Sequence, residues 1–400
     1  MCTELPSLSS KVLSVKVRVN FIITVATLVL SLIFWWSAQN MREIFWDIEV
    51  YQFAVNSAKD GEDPYLNRSG FDFMYHPMII PLLKLLSLIL PLKIILPIIY
   101  CIAIFFLLSV LNNWNMIPNS FNKSERMVLV ILLLGFFGWS YLGLLSGNLS
   151  ILGHLILQFL GFHLILRRQT HIQIIFFLTV LAFSLIKPYF LAYLVLYLAF
   201  SILKLLIIGA GATFSFLGLW ILLSINDPDS YSNFIENLTR GTYTNEDLGF
   251  SLFSSLQVFL GSWPALTLHV ALILIFISIY LKNKSLLSLN YQSIWLILIA
   301  IISNPRIKEY DAIFLLVLAY IAIAQASTNA KKMILKTLIL TIVSGVAIVV
   351  MASYVFTQTL VVPVFYLASM TLVWSIWFAL KSPGLASKWA LSGSNRRPTD

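Results

Sequence analysis

The sequence has little charge and almost no cysteine. Only 11% of its 400 residues are Asp, Glu, Lys or Arg, whereas 59% are hydrophobic, and this composition excludes an ordinary soluble globular domain. The two cysteines, Cys2 in the N-terminal tail and Cys101 in an apolar run, do not make a disulfide framework, and no Cys or His spacing indicates zinc. We therefore predict a protein with no metal site and no cofactor.

A concentrated basic patch and an internal repeat are also missing. The formal net charge is +9, but the lysines and arginines are scattered between apolar runs, which argues against nucleic acid as a partner and for a role in membrane topology. The lack of a repeat weighs against transporter folds that are built from duplicated halves.

Long apolar runs fill nearly all of the chain. Most are about 17 to 25 residues long, the length that an α-helix needs to cross a hydrocarbon core of about 30 Å. The pattern predicts an all-α fold, a polytopic transmembrane helical bundle with about 12 spans. The predicted spans are residues 19–38, 94–111, 127–146, 149–166, 172–186, 189–203, 205–225, 264–281, 292–303, 312–326, 333–353 and 361–380. The first is long enough to stay as a span and not be removed as a signal peptide.

Charge predicts the orientation of these spans. Residues 78–90 are bounded by Pro77 and Pro91 and are too short for a full crossing, so we expect a re-entrant or interface helix there. Counting 78–90 as a span would put Arg167 and Arg168 outside, against the positive-inside rule. Without it, 14 of the 17 acids lie on the outer side.

This orientation divides the chain into one transmembrane domain, residues 1–381, and a polar cytoplasmic tail, residues 382–400. Within the domain, residues 40–93 form a first outer loop with interface helices, and residues 226–263 form a second large outer loop. The N-terminus is also expected to be cytoplasmic, because basic residues precede the first span.

The first outer loop concentrates acids and aromatic residues at positions 43–77. Apolar side chains recur at i, i+4, i+7 and i+11 from Ile44 to Val55, which predicts an amphipathic helix along the membrane interface that ends at Gly61. Asp47 lies on this helix, so its carboxylate is expected beside the lipid headgroups.

Short motifs in this loop resemble those of a known enzyme family. The segments DIEVY (47–51), GEDPY (61–65) and FDFMYHPM (71–78) are similar to the first extracytoplasmic loop of glycosyltransferase family 87, in which a proline is usual at the position of His76. Further family-like motifs follow in the expected order at 147–148 (Gly-Asn), 187–189 (Lys-Pro-Tyr) and 304–305 (Asn-Pro). The resemblance covers roughly residues 20 to 320.

The resemblance implies a membrane enzyme of the GT-C superfamily. Such an enzyme transfers a hexose, here most readily mannose, from a polyprenyl-phosphate sugar donor to a glycolipid or cell-envelope glycan acceptor. By this resemblance the chain acts as a mannosyltransferase-like transferase in glycolipid biosynthesis. Its expected location is a prokaryotic cytoplasmic membrane, with the active site on the extracytoplasmic face and the membrane lipids as further partners.

The same resemblance implies which residues form the active site. Asp47 is the expected catalytic base, and Lys187, Arg306 and Lys308 are expected to hold the donor phosphate. The expected substrate-binding residues are Tyr51, Tyr65, Tyr75, His76, Asn148 and Tyr189. Family members often have a histidine where this chain has Tyr310. Residues 250–256 are expected to close over the site as a lid.

Plainer interpretations of these residues stay open. Asp47 could be a solvated carboxylate at a helix start, and Lys187 could snorkel to the headgroups. The tyrosines fit an aromatic belt equally well, and His76 before a proline could be structural. At the level of function, the alternatives are a lipid-linked sugar flippase or transporter and a surface-polysaccharide polymerase or ligase. A transporter would need polar residues buried in mid-span, and a polymerase or ligase would be expected to carry several basic residues in its outer loops.

Overall fold

The chain is helical wherever the structure describes it. The computed structural model describes residues 46–65, 73–113, 147–243 and 251–305, and these ranges contain helices and turns but no strand. The prediction of an all-α chain is therefore confirmed for these residues.

The helices follow the predicted apolar runs closely. Across the described ranges the α-helices are α1 (Trp46–Asp60), α2 (Ile79–Ile89), α3 (Leu92–Asn113), α4 (Leu149–Arg167), α5 (Thr170–Ser184), α6 (Ile202–Asn226), α7 (Pro228–Tyr243), α8 (Leu252–Leu260), α9 (Ser262–Asn283) and α10 (Leu289–Ile302). A 3₁₀ helix of 12 residues, Pro188–Ala199, connects α5 to α6, and a short one, Lys284–Leu286, follows α9. The helices α3, α4, α5, α6, α9 and α10 match predicted spans to within three residues at either end.

Several helices are suited to a membrane. Among the described residues, three are long and apolar enough to span one: α4, α6, and α9 together with its 3₁₀ extension to Leu286. Only 6% of the apolar window of α6 is buried, so large side chains such as Phe214 (76% exposed) and Ile225 (71% exposed) face outward. Lipid is the solvent that such a surface requires. The chain is a helical membrane protein, and the full set of about 12 spans stays a prediction.

The short segment at 78–90 forms a separate helix. α2 is about 16 Å long, too short to cross a bilayer, and its axis makes an angle of 97° with the start of α3. Leu90 is extended at the break because Pro91 follows it, and proline disfavours helical backbone in the residue before it. The bend agrees with the prediction that 78–90 is not part of a straight span.

The 3₁₀ helix Pro188–Ala199 lies at the centre of the packing. It contacts α4, α5, α6 and α10, and most of its side chains are buried. Two glycines of α4 allow its close approach: a Cβ on Gly153 would lie 2.5 Å from Phe190 Cζ, and one on Gly161 would lie 2.5 Å from Leu196 Cδ2. At 2.0 Å per residue, the 3₁₀ helix covers about 24 Å, more than an α-helix of the same length.

The predicted span 189–203 is the 3₁₀ helix Pro188–Ala199 in the structure and ends four residues earlier than predicted. The other predicted segments lie outside the described residues. These are the spans 19–38, 127–146, 312–326, 333–353 and 361–380 and the tail 382–400, all of which stay predictions.

Candidate functional site

Helix α1 presents an apolar face to the bundle and a polar face away from it. Ile48, Tyr51 and Val55 are fully buried, while Lys59 is exposed, so the predicted amphipathic helix is confirmed. The helix ends before Gly61, whose φ of +75° lies in the left-handed region that glycine adopts without strain.

Asp47 in the first turn of α1 meets the motif at 147–148. Asn148 Nδ2 donates to Asp47 Oδ2 at 3.0 Å, a contact between residues 101 positions apart. Asn148 is also the N-cap of α4, because its Oδ1 accepts from the Ser150 backbone N–H at 2.9 Å. One buried amide therefore starts α4, the most buried of the described candidate spans, and also binds the carboxylate that the sequence predicts to be the base.

Tyrosine hydroxyls stabilise this contact between α1 and the start of α4. Tyr51 OH accepts from the Leu149 backbone N–H at 3.1 Å and shares a hydrogen bond of 3.0 Å with Tyr75 OH. Tyr100 OH donates to the Gly147 carbonyl at 2.7 Å. Burial, reinforced by the nearby Tyr75 and Asp47, raises the pKa of Tyr51 far above its usual value, so the hydroxyl keeps its proton.

Tyr65 joins the first loop to α7. Its hydroxyl donates to the Tyr75 carbonyl at 2.8 Å, and its own carbonyl accepts from Asn237 Nδ2 at 2.8 Å. A second hydrogen bond between the first loop and α7 runs from Asn233 Nδ2 to Asp63 Oδ2. The predicted outer loops at 40–93 and 226–263 are thus held to each other.

The exposure of the three tyrosines bears on their predicted role. Tyr51, Tyr65 and Tyr75 are 0%, 3% and 8% exposed, so they act here as a hydrogen-bonded frame and do not offer open faces for stacking on a sugar. Their predicted binding of substrate stays a prediction.

His76 is buried, and one of its ring nitrogens has no hydrogen-bond partner in the described part of the chain. Its Nδ1 accepts from the Met78 backbone N–H at 3.3 Å, so the neutral ring carries its proton on Nε2. Burial lowers the pKa of His76 to about 4. Among the described residues, neither His76 Nε2 nor the Nε1 of its neighbour Trp220 has a hydrogen-bond partner, and the two ring centroids are 6.1 Å apart. The first loop and α6 therefore bring two unsatisfied N–H donors near each other.

Lys187 is the N-cap residue of the central 3₁₀ helix. Its Nζ lies 5.8 Å from the centroid of the Tyr189 ring, which stacks on His154 at 5.9 Å and 21°. His154 Nδ1 is in turn hydrogen-bonded to Tyr193 OH at 2.7 Å, a bond between α4 and the 3₁₀ helix. Lys187 and Tyr189 are both half-buried, and His154 lies about 1.7 turns beyond Asn148 along α4.

Glu49 does not take part in the contact between Asp47 and Asn148. It points to α3, where Lys93 Nζ donates to its Oε1 at 2.6 Å in a solvent-accessible ion pair. Within the described ranges, no group of three or more His, Cys, Asp or Glu side chains is placed to hold a metal ion.

The motif at 304–305 meets the predicted lid segment. Ser251 and Ser254, both buried, donate their hydroxyls to the Pro305 carbonyl, the second at 3.1 Å. Ser251 also caps α8, whose nine residues extend beyond the segment 250–256. Arg306 and Lys308, expected at the donor phosphate, lie outside the described residues, as does Tyr310.

A polar stripe on α4 was not recognised from the sequence. Ser150, His154 and Gln158 follow each other at intervals of four, and all three are buried. Ser150 Oγ and both amide atoms of Gln158 have no hydrogen-bond partner in this part of the chain. The spacing of the stripe was the available signal, and Gln158 lies at the midpoint of the span.

No family model, curated protein or solved structure matches the chain. The likeness to glycosyltransferase family 87 therefore rests on the motifs themselves.

Proposed function

We propose that the protein is an integral-membrane glycosyltransferase of the GT-C type. It would transfer a hexose, mannose by resemblance, from a polyprenyl-phosphate donor to a glycolipid or cell-envelope glycan on the extracytoplasmic face. The hydrogen bond of 3.0 Å from Asn148 to Asp47 carries the proposal, because it joins two separate family-like motifs at one carboxylate.

Asp47 is the base in the proposed reaction. Its carboxylate takes the proton of the acceptor hydroxyl, whose oxygen attacks the anomeric carbon while the bond from that carbon to the phosphate oxygen breaks. Polyprenyl phosphate leaves with the bonding electrons, and a single displacement inverts the anomeric centre. The amide of Asn148 supports this role because it holds the carboxylate in one orientation before the acceptor arrives.

Cations and N–H donors would hold the departing phosphate. Lys187 is half-buried between two apolar elements, α5 and the 3₁₀ helix. Burying a cation there costs desolvation energy, which binding an anion would offset. Arg306 and Lys308 complete the proposed phosphate set. His76 and Trp220 would add neutral N–H donors, since a histidine whose pKa is about 4 is uncharged at neutral pH.

A donor-consumption assay tests the proposal. Purified full-length protein is incubated with radiolabelled polyprenyl-phosphate mannose, glucose or arabinose and a membrane lipid extract as the source of acceptor. We expect release of polyprenyl phosphate and labelled acceptor with one of the sugars. If no donor is consumed, the proposal is wrong.

Asn148→Asp separates the two roles of Asn148. Aspartate caps a helix as well as asparagine does, but it cannot donate to Asp47 and adds a like charge beside it. We expect Asp47 to need a higher pH to ionise, so the acidic limb of the rate profile should move up by about one pH unit or more. The measurement is kcat against pH, with thermal unfolding to show that α4 remains capped. An unchanged profile would mean that Asn148 does not act on the base.

The polar stripe on α4 favours a second candidate function, a lipid-linked sugar flippase. Such a protein needs polar side chains at mid-span, and Gln158 is one, fully buried and without a partner among the described residues.

Gln158→Leu distinguishes the two functions. Because the substitution removes an unsatisfied buried amide, we expect it to stabilise the protein by about 1 to 3 kcal/mol and to leave sugar transfer intact. The readouts are thermal unfolding and movement of a fluorescent lipid-linked sugar across sealed vesicles, with His171→Leu, at an exposed position, as the control. Loss of movement only in Gln158→Leu would favour the flippase.

A further inference from the structure

Three cations converge on Phe200, where the central 3₁₀ helix ends. The guanidinium carbon of Arg168 lies 5.6 Å from the centroid of the Phe200 ring, and Lys204 Nζ lies 4.6 Å from it. Lys284 Nζ donates to the carbonyls of Leu198 and Phe200 at 2.7 and 3.2 Å. Lys284 thus caps the end of the 3₁₀ helix, whereas Arg168 and Lys204 flank the ring.

The side chain of Gln173 links Lys204 to the backbone of Arg168. Gln173 accepts from Lys204 Nζ through its Oε1 and donates through its Nε2 to the Arg168 carbonyl at 3.1 Å. Arg168 has a φ of 55° and is the only non-glycine residue with positive φ in the described ranges. Glycine or asparagine is usual at such a helix end, and an arginine there is strained by roughly 1 kcal/mol or more.

No described acid lies at this end of the bundle. The described Asp and Glu residues fall between 47 and 63, in α1 and the turn after it, and between 227 and 236, beyond the C-terminal end of α6. Arg168 follows the other end of α4, about 28 Å away, and Lys204 lies in the first turn of α6. The like charges of Arg168 and Lys284 also oppose each other. An external anion would relieve this repulsion.

The surface beside the cations is apolar. Ile202, Leu203 and Leu206 in the first turns of α6 are 52%, 67% and 62% exposed. A charged group next to an exposed apolar helix face matches one class of molecule in a membrane, a lipid with an anionic headgroup.

We propose that Arg168 and Lys204 bind the phosphate of an anionic phospholipid whose acyl chains lie along the N-terminal half of α6. The lipid neutralises the cations around Phe200 and covers Ile202, Leu203 and Leu206. This site is at the opposite end of α4 from Asp47, so it is independent of the proposed sugar transfer.

Lipid titration of the full-length protein in detergent micelles tests the site. Phosphatidylglycerol and phosphatidylcholine are added separately, and affinity is read from the rise in thermal unfolding temperature. We expect phosphatidylglycerol to bind wild type in preference to phosphatidylcholine. Arg168→Gln combined with Lys204→Gln should weaken phosphatidylglycerol about thirtyfold, from about fivefold per cation at a membrane surface. Lys59→Gln, which removes an exposed cation at the end of α1, should have no effect.

A second variant separates a loss of lipid binding from a loss of folding. Arg168→Gly removes the charge and the left-handed strain together, so it should unfold no earlier than wild type in phosphatidylcholine yet bind phosphatidylglycerol about fivefold more weakly. The proposal is overturned if the double variant or Arg168→Gly keeps wild-type affinity, or if Lys59→Gln weakens binding as much as the double variant. It is also overturned if inorganic phosphate at equal concentration stabilises wild type as well as phosphatidylglycerol does.

Discussion

Replacing Asp47 with asparagine is expected to lower the rate of sugar transfer by about a hundredfold to ten-thousandfold, the usual contribution of a general base. The side chain keeps its shape and can still interact with Asn148, so α1 and α4 should remain joined. The loss therefore reports on proton removal and not on folding. It is measured as initial rates at saturating donor with the sugar that wild type consumes.

Glu49→Gln is the matched control for Asp47→Asn. Glu49 is two residues away on the same helix, but it forms an accessible ion pair with Lys93, and such pairs contribute about 0 to 1 kcal/mol. Transfer should stay within about twofold of wild type. Equal losses in both variants, or an active Asp47→Asn enzyme, would contradict the assignment of Asp47 as the base.

Gly153→Ala is expected to destabilise the protein by about 1 to 3 kcal/mol. The new methyl group would lie 2.5 Å from Phe190 Cζ and 2.9 Å from Phe183 Cδ1, between two aromatic rings that pack against each other at 5.7 Å. Phe190 is fully buried, so its ring cannot move without disturbing the central 3₁₀ helix. Thermal or denaturant unfolding in detergent measures the effect.

Substitutions at two other glycines provide comparisons for the stability cost of Gly153→Ala. Gly161→Ala meets mainly the flexible end of Leu196, so its penalty should be smaller than that of Gly153→Ala. Gly209→Ala has no neighbour within 4 Å and should be neutral or stabilising by up to about 1 kcal/mol, since alanine favours helix over glycine. If Gly153→Ala were no more costly than Gly209→Ala, the close packing of α4 on the 3₁₀ helix would be wrong.

Local signals predicted the helices well. The apolar spacing of α1 and its end at Gly61 depend on residues within one or two turns, and so does the break at Pro91. The site was harder to predict. Asp47 and Asn148 could be named from their motifs, but nothing in the spacing of either motif indicates that one amide would both cap α4 and bind the carboxylate.

Burial was the property that the sequence conveyed least. Tyr51 and Tyr75 are of the residue type that is typical of aromatic belts at a membrane interface, yet both are buried and hydrogen-bonded to each other. Gln158 appears in an apolar run as one isolated polar residue, and its importance is visible only when its helix proves to be the most buried of the apolar spans described. Exposure depends on which elements pack together, and residue type alone does not determine that.

The sequence by itself determined that this is a helical membrane protein and, to within three residues, where the helices α3, α4, α5, α6, α9 and α10 begin and end. The reason is that hydrocarbon forces each backbone polar group to be satisfied within its own segment, so length and apolarity are enough. Only the tertiary structure decided which side chains meet, such as Asp47 with Asn148 or Arg168 with Phe200. Those contacts join residues from separate segments, and their existence depends on the packing of whole helices.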